Sequence, residues 1–138
     1  MMNKIKDKFM PTLLVGVLVG GIAVIAFKNT GGSSGYSVPV KTVKLSRAAK
    51  EGEIIFNASC ASCHGVNASG TESGPPLIHK IYEPSHHGDA AFLMAPKRGV
   101  RAHHWPYGNM PPVEGITDQH TRKIVRYVRE LQRANGIL

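Results

Sequence analysis

Three kinds of hydrophobic pattern divide this chain into parts. Over residues 9–27 the stretch FMPTLLVGVLVGGIAVIAF carries no charge, which is long enough for a helix to cross a hydrocarbon core of about 30 Å. Lys4, Lys6 and Lys8 precede the run and Lys28 follows it. A cleaved export signal has the same basic start and apolar run, but no A-x-A-like site closes this one, so it reads as an uncleaved anchor. Gly16 and Gly20 make a G-x-x-x-G step that suits close approach of another helix, although glycine is common in membrane helices in any case.

Residues 28–45 show neither a helical nor a strand period. Gly31-Gly32-Ser33-Ser34-Gly35, followed by Pro39, has the composition of a flexible linker with an r.m.s. span of about 23 Å. Helical spacing begins at Ser46, a capping residue, with Ala48, Gly52, Ile55 and Phe56 on one stripe. It returns over residues 117–135, where Ile124, Val128 and Leu131 repeat beside Val125 and Tyr127 and the pattern stops at Gly136. Each stripe implies packing against the other, since a domain of this size needs such a contact to bury enough surface. The middle, 65–115, is rich in Gly, Pro and His and reads as loops. The expected organisation is an N-terminal stub over 1–8, a membrane helix over 9–27, a linker over 28–45 and a small helical domain over 46–138.

The net charge of +8 changes this picture less than it first suggests. Six Lys and one Asp up to Leu45 contribute +5, and eleven Lys plus Arg against eight Asp plus Glu contribute +3 from Ser46 onward. The basic excess therefore belongs mainly to the anchor and linker. No nucleic-acid-binding motif accompanies it, and a nucleic-acid partner is excluded.

Candidate chemistry is concentrated at Cys60-Ala61-Ser62-Cys63-His64, which holds the only two cysteines of the chain. C-x-x-C-H reads as a site of covalent c-type haem attachment: two thiols add to the two vinyl groups of one porphyrin edge, and the adjacent imidazole lies under the iron. Other readings remain. A thioredoxin-like dithiol would want a βαβ context and a low-pKa cysteine at a helix start, and no such context surrounds Cys60. Structural zinc wants four closed ligands at finger-like spacing, which His79, His86, His87, His103 and His104 do not supply. A disulfide across two residues would be strained.

With these residues in view, the chain resembles the class I cytochrome c family over nearly all of residues 48–132. The parts occur in the family's order: the helix with Gly52 and Phe56, the haem motif, Gly74-Pro75-Pro76-Leu77, Gly108-Asn109-Met110-Pro111-Pro112, and a closing helix with Tyr127-Val128-Arg129-Glu130-Leu131. The resemblance implies an all-α domain around one haem c, with Gly52 allowing the first and last helices to cross closely against Tyr127. It implies that the Pro75 carbonyl accepts the His64 Nδ1 proton and that Leu77 packs on the porphyrin. Met110 is the expected sixth ligand opposite His64, because a thioether suits a low-spin iron and the flanking prolines hold its loop. Met94 is the rival, with an apolar role the easier reading; His79, His86, His87, His103, His104 and His120 are more readily surface residues. Arg98, Arg101, His103 and His104 lie where the family often places propionate donors, but the Ala102 to Tyr107 segment departs from the mitochondrial pattern. Trp105 and Tyr107 fit either the haem pocket or an interface.

The function this implies is one-electron transfer without substrate binding, so not an enzyme. The lysines flanking the apolar run are too evenly divided to orient it, but haem c is attached outside the bacterial plasma membrane. That places the domain in the periplasm, tethered to the inner membrane. Redox partners would be a quinol-oxidising complex and a terminal oxidase or other acceptor. The alternatives are a permanent haem subunit of a larger membrane oxidoreductase complex and, requiring Met110 to leave the iron, a haem enzyme or sensor.

Overall fold

The computed structural model describes residues 36–138. The apolar run over 9–27, its G-x-x-x-G step and the Gly/Ser stretch 31–35 lie outside the described residues. Among the described residues no helix is long and apolar enough to cross a membrane.

Helix α1 spans Arg47–Ser59, α2 Ala61–His64, α3 Asp89–Arg98 and α4 Asp118–Ala134, with short 3-10 turns at Val66–Ala68 and Lys80–Tyr82. The described part has no strand; its one β-type pairing is an isolated bridge between Val100 and Met110. The all-α expectation for the domain holds.

Helix α1 begins where Ser46 Oγ accepts the Ala49 N–H at 3.3 Å, a side-chain cap for an otherwise unpaired donor. The same serine is tied to α4: its N–H and its hydroxyl donate to the two Glu130 carboxylate oxygens at 2.9 and 2.6 Å. Desolvation pushes the Glu130 pKa up, but the Ser46 bonds with Arg133 and Arg126 outweigh it and hold the carboxyl below its usual range. A depressed carboxyl stabilises the fold above its unfolded pKa, and that contribution is lost as pH falls through the folded value. Helix α4 starts on the Thr117 side chain, which accepts from His120 N–H at 3.2 Å, and ends before Gly136, whose φ of 76° takes the left-handed conformation.

The two long helices cross at Gly52. A Cβ there would overlap the Lys123 carbonyl and crowd Ile124 N, so only glycine lets the backbones approach this closely. Tyr127, one turn further along α4, meets Phe56 beside this crossing, with ring centroids 5.5 Å apart. Around this pair Ala49, Ala68, Ile78, Ile124, Val128 and Leu131 form the buried core.

Two expectations are corrected. The linker foreseen over 28–45 is docked on the domain over its last ten residues. Tyr36 N–H donates to the Tyr107 hydroxyl at 3.0 Å, and Val38 N–H to the Ser69 carbonyl at 2.8 Å. Lys41 pairs through both backbone groups with the Asn135 side chain at 2.8 and 2.9 Å, while Val38, Val40 and Leu45 rest on the core. Their partners are distant in sequence, so composition alone reads as linker. The other correction is α3, which no periodicity announces. It contains Pro96, which removes a helical hydrogen bond, but Pro96 is buried near the helix end and its carbonyl accepts from Val113 N–H at 2.8 Å.

Replacing Ser46 with Ala is expected to cost about 1 kcal/mol, a fall in melting temperature of roughly 4–8 °C. Gly52→Ala is expected to cost more, about 1–3 kcal/mol, because the obstacle is backbone and cannot rotate away. Thermal unfolding by circular dichroism measures both, and a neutral Gly52→Ala would refute the close crossing.

Candidate functional site

Beside the core lies an apolar cavity of about 390 Å³, within the size range of cofactor sites. The end of α1, α2, α3, α4 and the loops around 75–77 and 100–110 all contribute to its walls. Cys60, His64, Pro75, Leu77 and Met110 line it, with Phe56, Phe92 and Ile124 among the apolar walls. Cys63 is exposed and is not among the lining residues.

Helix α2 is one short turn, and it turns His64 toward the cavity. His64 Nδ1 lies 2.9 Å from the Pro75 carbonyl. A carbonyl only accepts, so Nδ1 carries the proton and Nε2 keeps the lone pair. Burial pushes the His64 pKa down, partly opposed by the Pro75 bond. The imidazole is thus held neutral and oriented, as a metal ligand requires. The loop bearing Pro75 is fixed on α2: a Cβ at Gly74 would come within 2.9 Å of the Cys63 carbonyl, and Thr71 Oγ1 donates to that carbonyl at 2.5 Å.

The thiols bear on the alternative readings of the cysteine pair. Burial, with the neighbouring Cys63, pushes Cys60 up to about 11, opposite to the lowered pKa of a redox-active dithiol. Among the described residues the pair belongs to no cluster of three metal-ligating side chains, which removes the basis for structural zinc there.

Met110 is held by its backbone. Val100 N–H donates to the Met110 carbonyl and Met110 N–H to the Val100 carbonyl, both at 2.9 Å. The strands can meet because Gly99, at φ 72°, lacks a Cβ that would fall 2.5 Å from the Met110 carbonyl. Further along the loop Asn109 Oδ1 accepts from Ala102 N–H at 2.9 Å. Met94, the rival ligand, is half-buried but does not line the cavity.

One end of the cavity is polar. Arg101, His103, His104, Trp105 and Tyr107 line it, whereas Arg98, His79, His86 and His120 do not. Trp105 Nε1 is buried with no hydrogen-bond partner, although the Tyr82 hydroxyl is near enough to feel it. A buried unpaired donor in a cavity wall calls for an acceptor, which the carboxylates of a haem would supply. Partial desolvation and then His103, His87 and His86 push the His104 pKa down. An apolar cavity lined by a neutral imidazole, a thioether and the Cys60 thiol, with polar donors among the residues from Arg101 to Tyr107, fits haem c.

Sequence reasoning missed the residue that ties these walls together. Arg129 on α4 is 6 % exposed. It donates to Asp89 Oδ1 at 2.8 Å, the Tyr82 carbonyl at 2.7 Å, Gln132 Oε1 at 2.6 Å and the His87 carbonyl at 2.5 Å. Its guanidinium also sits 4.6 Å over the Phe92 ring. Gln132 in turn donates to the carbonyls of Leu77 and Tyr82 at 2.8 and 3.1 Å. The signal was a pair of polar residues on the apolar stripe of α4.

Comparison with protein families matches the cytochrome c family over residues 49–132. Comparison with curated proteins returns no match. For the Arg129 tie, Arg129→Met is expected to cost about 1–3 kcal/mol for each buried acceptor left unpaired. Arg129→Lys is expected to recover little, because an ammonium cannot reproduce the planar fork. Denaturant unfolding of the two variants against the parent protein checks both.

Proposed function

Because the chain belongs to the cytochrome c family and so carries one covalent haem c for electron transfer, we propose that it is a membrane-anchored one-electron carrier of a bacterial respiratory chain. The observation that carries the ligand assignment is that His64, with Nδ1 engaged by Pro75, and Met110, with its backbone pinned to Val100, line one apolar cavity. In this reading Cys60 and Cys63 would hold the porphyrin by thioether bonds, and His64 Nε2 and the Met110 thioether would ligate its iron.

When bound, the haem iron takes up and releases one electron. The chain's residues set the conditions for that. Pro75 keeps His64 in one tautomer and orientation. Phe56, Leu77, Phe92 and Ile124 exclude water, which limits the reorganisation that a change of charge demands. Trp105 and Arg101 hold acidic groups at the polar end. Two protein ligands leave no open position, so the protein binds no substrate at the metal and is a carrier rather than an enzyme.

The anchor over 9–27 would hold the domain at the periplasmic face of the inner membrane, between a quinol-oxidising complex and a terminal oxidase or other acceptor. A second reading, a permanent subunit of a larger membrane complex, draws support from the docked segment. With residues from Tyr36 onward bound to the domain, only residues 28–35 separate the apolar run from it. Eight residues span at most about 28 Å fully extended. That reach favours partners beside the anchor in either reading.

Met110→Ala is expected to open the iron to carbon monoxide and lower the reduction potential, because the Met/His pair raises it. Met94→Ala is expected to do neither. Carbon monoxide difference spectra and redox titration distinguish them, and reversed behaviour would overturn the assignment. Purification from mild detergent separates the two roles: a carrier comes out alone, a permanent subunit with partners. A mature protein that starts after Phe27 in the soluble fraction would remove the anchor.

A further inference from the structure

Seven histidines in the chain exceed what one haem needs, and four of them gather from two loops. His86 and His87 precede α3, and His103 and His104 lie beyond it. The ring centroids of His86, His87 and His104 stand 4.6, 5.2 and 5.3 Å apart. One nitrogen from each ring falls within 4.8 Å of the others. His86 Nε2 and His104 Nε2 are 3.4 Å apart, beyond the usual range of an N–H hydrogen bond. Two nitrogens bonded at about 2.0–2.1 Å to one tetrahedral ion stand about 3.4 Å apart, whereas adjacent ligands of a square-planar ion stand about 2.9 Å apart.

We propose that His86, His87 and His104 form a second metal site, a three-imidazole seat for Zn²⁺ on the rim of the haem cavity. His87 Nδ1 donates to the Ile81 carbonyl at 2.7 Å, which frees Nε2 for the ion and supplies the carbonyl support that metal-bound histidines have. The His87 backbone is itself fixed by Arg129. His103, 4.3 Å from His104 and stacked on His87 at 5.8 Å, flanks the three ligands and donates its Nδ1 proton to the Arg101 carbonyl at 2.8 Å. An all-nitrogen set without carboxylates selects late divalent ions over Mg²⁺ or Ca²⁺. His86 and His104 are exposed, so the ion enters from solvent and water completes its coordination. The bound ion joins the loop before α3 to the loop carrying Trp105 and stiffens the polar rim of the cavity.

The test uses the tag-free, haem-loaded protein, stripped with chelator and titrated with zinc chloride alone. Calorimetry is expected to give one equivalent of Zn²⁺ bound at least tenfold more tightly than to His86→Ala or His104→Ala. His120→Ala is expected to bind like the parent. His86→Ala, outside the haem cavity, is expected to keep the parent's visible spectrum. Zinc X-ray absorption is expected to show three imidazole nitrogens at about 2.0–2.1 Å. No saturable binding, or equal affinity in His86→Ala and the parent, would overturn the site, whether or not the haem assignment stands.

Discussion

One buried guanidinium organises the half of this domain that has no regular packing of its own. Arg129 reaches from α4 to two backbone carbonyls, to Asp89 and Gln132, and to the face of Phe92. A buried cation is costly unless it is paired and fully hydrogen-bonded, so the fold holds only where the loop carbonyls of Tyr82 and His87 turn toward it. Arginine is suited to this role because its planar fork addresses several acceptors at once. The consequence is that α3 and the 82–87 loop, both cavity walls, take their positions from α4.

The remaining walls follow from the α1–α4 crossing. Gly52 brings the helices together, Phe56 and Tyr127 meet at a tilt beside the crossing, and α2 continues from α1 with only Cys60 between them. The haem-attachment turn is therefore an extension of the α1–α4 crossing. Met110 stands on a two-way backbone pair with Val100, just beyond the end of α3. Helix packing positions part of the wall, and Arg129 and Gln132 restrain the loops at Leu77, Tyr82 and His87. Electron transfer with little rearrangement depends on cavity walls restrained in this way.

The docked segment 36–45 adds a link between cavity and chain entry. Tyr36 packs on Trp105 with ring centroids 5.2 Å apart and donates through its backbone N–H to the Tyr107 hydroxyl, so the docked segment braces two residues of the polar end of the cavity. The His86, His87 and His104 cluster flanks the same end.

Local chemistry was legible in the sequence. The C-x-x-C-H spacing, the Ser46 and Thr117 caps, the apolar stripes of α1 and α4 and the family to which they point all depend on residues within a few positions of one another. What only the tertiary structure decided depends on partners far apart in sequence. The Val38, Lys41 and Tyr36 contacts turn a linker composition into a docked strap, and Asp89–Arg98 becomes a helix despite Pro96 because Val113 and Arg129 engage its ends. Arg129 interrupts the apolar stripe of α4, but the sequence does not say what it pairs with. Its role appears only when loops 40 to 50 residues away bring unpaired carbonyls to it, a requirement of buried hydrogen bonding that no local pattern records.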